Sequence, residues 1–130
     1  GLGECLAALR AGGLRLGIAT HRSGRGAHQI LEGFGLRDFF SAIVALEHIE
    51  KTKPDPEPVL KALAQLGVEP AAAVMVGDTP DDVLAGRAAG TLAVGVTTGA
   101  HTREALMEAG ADAVLESLAD LPGLLGTERR

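Results

Sequence analysis

Short apolar runs alternate with stretches of helical periodicity along the whole chain. Residues 14–19, 42–46, 73–76, 92–96 and 113–115 have the length and aliphatic content of strands. Between them lie predicted helices. One covers 3–11, with Leu6 and Leu9 inward and Gly12-Gly13 ending it. Ser23 caps a second, running to about Glu32, with Ile30 and Leu31 on its buried side and Gly33 and Gly35 as its stop. Asp55-Pro56 opens a third, where Val59, Leu60, Leu63 and Leu66 repeat at helical spacing until Gly67. A fourth runs from Pro80 to about Gly90, a fifth spans 102–109, and a last helical turn covers 117–121. Phe39 and Phe40 are expected to tuck under the sheet.

Strands that alternate with helices of about ten residues imply right-handed crossovers and a mostly parallel sheet covered on both faces. The fold class is therefore α/β, a layered sandwich. With no repeat, linker or low-complexity tract, residues 1–125 read as one domain and 126–130 as a flexible tail. The 46% hydrophobic content suits a buried core, and with only three Phe that core must be aliphatic. A net charge of −5 without a basic stripe argues against nucleic acid as a partner. No apolar run approaches the about 18 residues of a membrane span. The single cysteine, Cys5, sits in an Ala/Leu-rich helix as a small hydrophobe, and its solitude fits a reducing, cytoplasmic setting.

Four loops follow strand carboxyl ends, the edge of an α/β sheet where ligands bind. The run Val74-Met75-Val76-Gly77-Asp78-Thr79-Pro80-Asp81-Asp82 has the strongest character: a strand buried on both faces, then three carboxylates at the start of a helix. Thr79 is a natural N-cap, Pro80 fits the first helical position, and Thr79-x-x-Asp82 approaches a capping box. Capping accounts for Asp81, leaves Asp82 evenly open between capping and function, and does not account for Asp78, which precedes the helix. Hard oxygen ligands on a short loop suit Mg²⁺. Thr20-His21-Arg22-Ser23 offers a hydroxyl and free amides to an anion, or simply caps its helix. Lys53, stiffened by the prolines of Lys53-Pro54-Asp55-Pro56, is either a placed ammonium or a solvated surface charge. In the fourth loop, 97–101, small residues leave room near a ligand, and His101 reads as a loop histidine. His21, His28 and His48 lack metal-ligand spacing.

Together, Leu16-Gly17-Ile18-Ala19-Thr20, Lys53-Pro54-Asp55-Pro56 and Val76-Gly77-Asp78-Thr79-Pro80-Asp81-Asp82 resemble motifs two, three and four of the haloacid dehalogenase-like hydrolases. The phosphoglycolate phosphatase-like and pyrophosphatase-like branch is the nearest, and the resemblance runs from Gly1 to about Leu121. It implies a Rossmann-like three-layer sandwich and a Mg²⁺-dependent phosphatase acting on a small phosphorylated substrate. Thr20 would then hydrogen-bond a phosphoryl oxygen, with the backbone amides of His21 and Arg22 nearby. Lys53 would offset the charge of phosphoryl group and nucleophile. Asp78 would ligate Mg²⁺, and Asp82 would orient the site through a metal-bound water or through Lys53.

One departure stands out. The family's nucleophile is the first Asp of an Asp-x-Asp-x-Thr motif on a first strand, and no such motif occurs in this sequence. That motif and the family's cap are expected to be absent from these residues rather than mutated within them. The family places the motif-one strand between the Thr20 and Asp78 strands, so an open slot is expected there. It would be completed by an N-terminal segment or by a second chain. Alone, the 130 residues are expected to turn over negligibly. The alternative is a non-catalytic phosphate- or Mg²⁺-binding module. A plain interaction domain like response-regulator receivers fits Thr20, Lys53 and Asp78 less well.

Overall fold

The computed structural model describes residues 2–126. The expected tail therefore lies almost wholly outside the described residues. In chain order the elements are α1 (Leu2–Ala11), β1 (Gly17–Ala19), α2 (Gly24–Gly33), β2 (Ala42–Val44), α3 (Glu57–Leu66), β3 (Val74–Gly77), α4 (Pro80–Ala89), β4 (Leu92–Val96), α5 (Arg103–Glu108), β5 (Ala113–Leu115) and α6 (Leu121–Leu124). All strand pairings are parallel, but they fall into two sheets. β1 pairs with β2 in the register Gly17↔Ala42, while β3, β4 and β5 form a three-stranded sheet with Val74↔Leu92 and Val94↔Ala113.

Helices cover both faces, so the α/β three-layer arrangement is present. Odd and even residues of β3 point to opposite layers, as strand geometry requires. Val74 and Val76 pack with Cys5, Leu9, Val94 and Leu121 beneath α1 and α6. Ala73 and Met75 face Val59, Leu63, Ala85 and Ala89 of α3 and α4. A third cluster, Val83, Ala93, Leu106, Ala111 and Val114, joins α4 and α5 to the three-stranded sheet.

The two sheets are separated by a cavity of about 870 Å³, lined by residues of both β1 and β3. That is the slot expected between the Thr20 and Asp78 strands. It also corrects the expectation that β3 is buried on both faces: all four of its residues are only half-buried. The most enclosed strand is β4, where Ala93 to Val96 are buried between two partners.

Other expectations shift for local reasons. β1 begins at Gly17, three residues later than predicted, because β2 offers partners only from Ala42 to Val44. After Val44 the chain turns into a 3₁₀ turn at Leu46–His48 instead of continuing the strand. Ile30 is 39% exposed and Leu60 43% exposed, although both fit helical periodicity. Ala27 is the one buried residue of α2, so that helix presses on the sheet through a small contact and leaves Leu31 half-buried. The last helical turn runs on as α6 to Leu124.

Candidate active site

The carboxyl ends of β1 and β3 open onto a shared cleft of about 470 Å³. Thr20, His21, Lys53, Asp78, Asp82 and His101 line it.

At the end of β1, the Thr20 amide continues the ladder by donating to the Val44 carbonyl at 2.9 Å. Its hydroxyl accepts from the Arg22 N–H at 3.1 Å. A hydroxyl keeps its own proton when it accepts. Thr20 can therefore still donate to an oxyanion, whereas the Arg22 amide is already engaged. Arg22 does not line the cleft, although the sequence grouped it with the anion-binding residues. Ser23 caps α2 by accepting from Gly26 at 3.0 Å, as expected. Glu47 occupies the same helix start, accepting from the Gly24 N–H at 2.7 Å. Its own amide and that of Gly24 hold the Glu47 carboxyl below the usual glutamate range. No motif in the sequence singles out Glu47.

Lys53 rises between the two sheets. Its Nζ donates to Asp82 Oδ1 at 2.6 Å and to the Ala19 carbonyl at 3.3 Å. An ammonium has three donors, so one N–H remains for a ligand. The Lys53 and Asp82 side chains are each 11% exposed, so the pair is poorly screened by water.

Asp82 serves two purposes at once. Thr79 Oγ1 accepts from the Asp82 N–H at 3.1 Å, and Asp82 Oδ2 accepts from the amides of Thr79 at 3.3 Å and Asp78 at 3.2 Å. The capping box is complete, and the other carboxylate oxygen holds Lys53. Asp82 makes the contact to Lys53 that was one of the two routes offered for it. Gly77 makes this possible: a Cβ there would overlap the Asp82 side chain. Asp81 is exposed at the cleft mouth.

Asp78 differs from Asp82. Among the described residues no hydrogen bond or ion pair is recorded at its carboxylate, which lies against the backbone of Gly99 where a Cβ would collide with it. The fourth loop is thus small for a definite reason: it cradles Asp78. Among the described residues no group of three or more His, Cys, Asp or Glu could by itself hold a metal ion. A free carboxylate beside a second one, with room for water and substrate oxygens, is nonetheless a donor set suited to Mg²⁺.

The family model for haloacid dehalogenase-like hydrolases matches residues 1–96. The chain belongs to this family. Among the relatives of this haloacid dehalogenase-like chain, pyrophosphatase PpaX of Bacillus pumilus is 39% identical over 125 residues, covering 96% of this chain and 58% of the relative. Phosphoglycolate phosphatase of Rhodospirillum rubrum is 41% identical over 121 residues, covering 93% and 50%. The fold superimposes on CbbY from Rhodobacter sphaeroides, solved in complex with phosphate, with a TM-score of 0.84 at 32% identity, over 98% of this chain and 57% of that one. A phosphatase of the same superfamily from Thermococcus onnurineus gives 0.83 at 32%, over 98% and 57%. The chain spans about half the length of the curated relatives it matches. Among the described residues no helix is long and apolar enough to cross a membrane.

Proposed function

We propose that this chain supplies the phosphoryl-binding and magnesium-binding half of a cytoplasmic phosphomonoester hydrolase. Its substrate is a small phosphorylated molecule rather than nucleic acid or a membrane surface. The observation that carries this reading is the Lys53 ammonium, fixed by Asp82 in the same cleft as the Thr20 hydroxyl and the unpartnered Asp78 carboxylate. Phosphoryl transfer is driven mainly by positioning and by neutralising negative charge. Thr20 would hold one phosphoryl oxygen, with the His21 amide beside it, and the remaining Lys53 N–H would meet another. Asp78 would hold Mg²⁺, with Asp82 contributing through Lys53 or a bound water, and the ion would neutralise phosphoryl charge.

The covalent step needs a carboxylate that attacks phosphorus while the ester oxygen leaves, followed by hydrolysis of the aspartyl-phosphate by water. Asp82 is committed to Lys53 and two amides, and Asp78 is the metal candidate; the family resemblance implies that the nucleophile is the first Asp of a motif these residues do not contain. By themselves the 130 residues are expected to bind but not to turn over. The same commitment of Asp82 favours, as a second reading, a non-catalytic phosphate- or Mg²⁺-binding module.

The test uses protein expressed from the complete reading frame, with an aryl phosphate, pyrophosphate and 2-phosphoglycolate as substrates. Mg²⁺-dependent release of phosphate, abolished in Asp78→Asn and Lys53→Met, is the expected result. Equal activity in the wild type and Asp78→Asn would remove Asp78 from the mechanism. Saturable Mg²⁺ or phosphate binding without turnover would favour the binding module.

A further inference from the structure

We propose that Glu57 is a positioning residue for Lys53: its carboxylate ties the loop that carries the lysine to the first turn of α3, and so fixes where the ammonium stands in the cleft. The inference deepens the reading of Lys53 as a phosphoryl-binding group and rests on that reading for its kinetic consequence. The placement of the lysine is tested separately.

Lys53 lies in the segment 49–56, which has neither helix nor strand. An ammonium on a flexible four-carbon stem is only as well placed as the backbone beneath it. Backbone amides outside regular structure need partners elsewhere. Those of Glu50 and Lys51 share one, Glu57 Oε2, which accepts from them at 2.6 and 3.4 Å. On the other side of Lys53, the Asp55 amide donates to the Thr52 carbonyl at 3.0 Å, and Asp55 Oδ1 accepts from the Glu57 N–H at 2.9 Å. The backbone is thus tied within three residues of Lys53 on both sides, and both ties lead to Glu57.

Glu57 suits this task. It opens α3, which places Pro58, Val59, Ala62 and Leu63 in the core immediately after it, so the carboxylate stands on an anchored element. Hydrogen bonds from amides to a carboxylate are roughly twice as strong as neutral ones, and a first helical turn favours negative charge. Lys61, one turn on, lies 3.8 Å from the same oxygen, but its side chain is 47% exposed and the pair adds little. Capping α3 does not call for this carboxylate, because Asp55 already accepts from the amide at the helix start. Glu57 instead reaches back to an amide seven residues earlier.

At the far end of the stem, Lys53 Nζ meets Asp82 Oδ1 at 2.6 Å and the Ala19 carbonyl at 3.3 Å. A loop released from Glu57 would let both contacts lengthen. Misplacing a positioned group by about 1 Å can cost about a hundredfold in rate.

The experiment uses protein from the complete reading frame and the variants Glu57→Ala and Glu57→Gln. Folded protein is acetylated with a limiting reagent, and modification of Lys53 is read by mass spectrometry relative to Lys51, which is exposed. The Lys53 side chain is 11% exposed and ion-paired, so its share in the wild type is low. That share should rise at least about tenfold in Glu57→Ala, where the charge-assisted bonds are gone. It should rise about two- to threefold in Glu57→Gln, which keeps one acceptor oxygen. Where Glu57→Ala does not fold, Glu57→Gln carries the test alone. With an aryl phosphate, kcat/KM should fall about tenfold in Glu57→Ala. The Mg²⁺ concentration giving half the maximal rate should not change, because Asp78 rests on the loop after β4 and not on this one.

A Lys53 share that stays at the wild-type value, whatever the loss in melting temperature, overturns the proposal and leaves Glu57 a role in stability only. A raised share in a protein that hydrolyses none of the substrates leaves the positioning role standing and counts only against the phosphatase reading.

Discussion

Lys53 Nζ and Asp82 Oδ1 lie 2.6 Å apart and tie the two sheets together at their carboxyl ends. Lys53 stands on the loop after β2 and also binds the Ala19 carbonyl of β1, while Asp82 belongs to α4, the helix that follows β3. Removing one partner from a buried pair strands the other charge, so Lys53→Met is expected to cost about 3 kcal/mol in urea unfolding. Asp82→Asn also weakens the capping box and should cost at least as much. The double variant should be less destabilised than the sum, with a coupling of about 1–3 kcal/mol. Strict additivity would mean the pair does not join the sheets energetically.

The contact between Gly99 and Asp78 predicts a variant that separates metal binding from folding. Gly99→Ala puts a methyl group into the Asp78 carboxylate, on a loop whose other side is exposed. Thermal stability should change little. Affinity for Mg²⁺ should fall about tenfold, the effect typical of disturbing a group that orients a ligand. Competition with Mn²⁺ followed by electron paramagnetic resonance reads this out, and undiminished affinity would place the ion elsewhere.

Glu47 gives a pH prediction. Its own amide, that of Gly24 and, to a smaller extent, the charge of His48 hold its carboxyl below the usual range. A depressed folded-state pKa means the folded protein binds fewer protons than the unfolded chain as pH falls through the glutamate range. The contribution of Glu47 is therefore complete above that range and is lost as pH drops through the lowered folded value. Thermal melts across neutral to acid pH should fall less steeply for Glu47→Gln than for the wild type. Parallel curves would show that the Gly24 contact does not anchor the start of α2.

Burial pushes the Cys5 thiol up, and its Sγ donates to the Leu118 carbonyl at 3.1 Å. The thiolate, not the thiol, reacts with alkylating agents. Native protein at mildly alkaline pH should take up iodoacetamide far more slowly than the urea-unfolded chain, as followed by intact mass. Equal rates would mean that α1 leaves the core readily.

Local chemistry decided much of this molecule. Thr79, Pro80 and Asp82 specify the start of α4, and Gly90, at φ 90°, specifies its end. β4 and β5 lie where their apolar runs lie, because turn residues bound them on both sides. Thr20, Lys53 and Asp78 were legible as candidates because each follows a strand, and their order along the chain points to the family. Periodicity could not tell that Ile30 and Leu60 stay exposed, since a helix repeats its apolar face whether or not a neighbour covers all of it. Strand pairing is equally non-local. The division into two sheets and the pairing of Lys53 with an aspartate 29 residues away were anticipated by the family resemblance and not by periodicity, whereas only tertiary structure leaves β3 half-buried. It also decides that Asp82 is occupied while Asp78 is free, because backbone amides and an ammonium converge on one carboxylate and a glycine on the other.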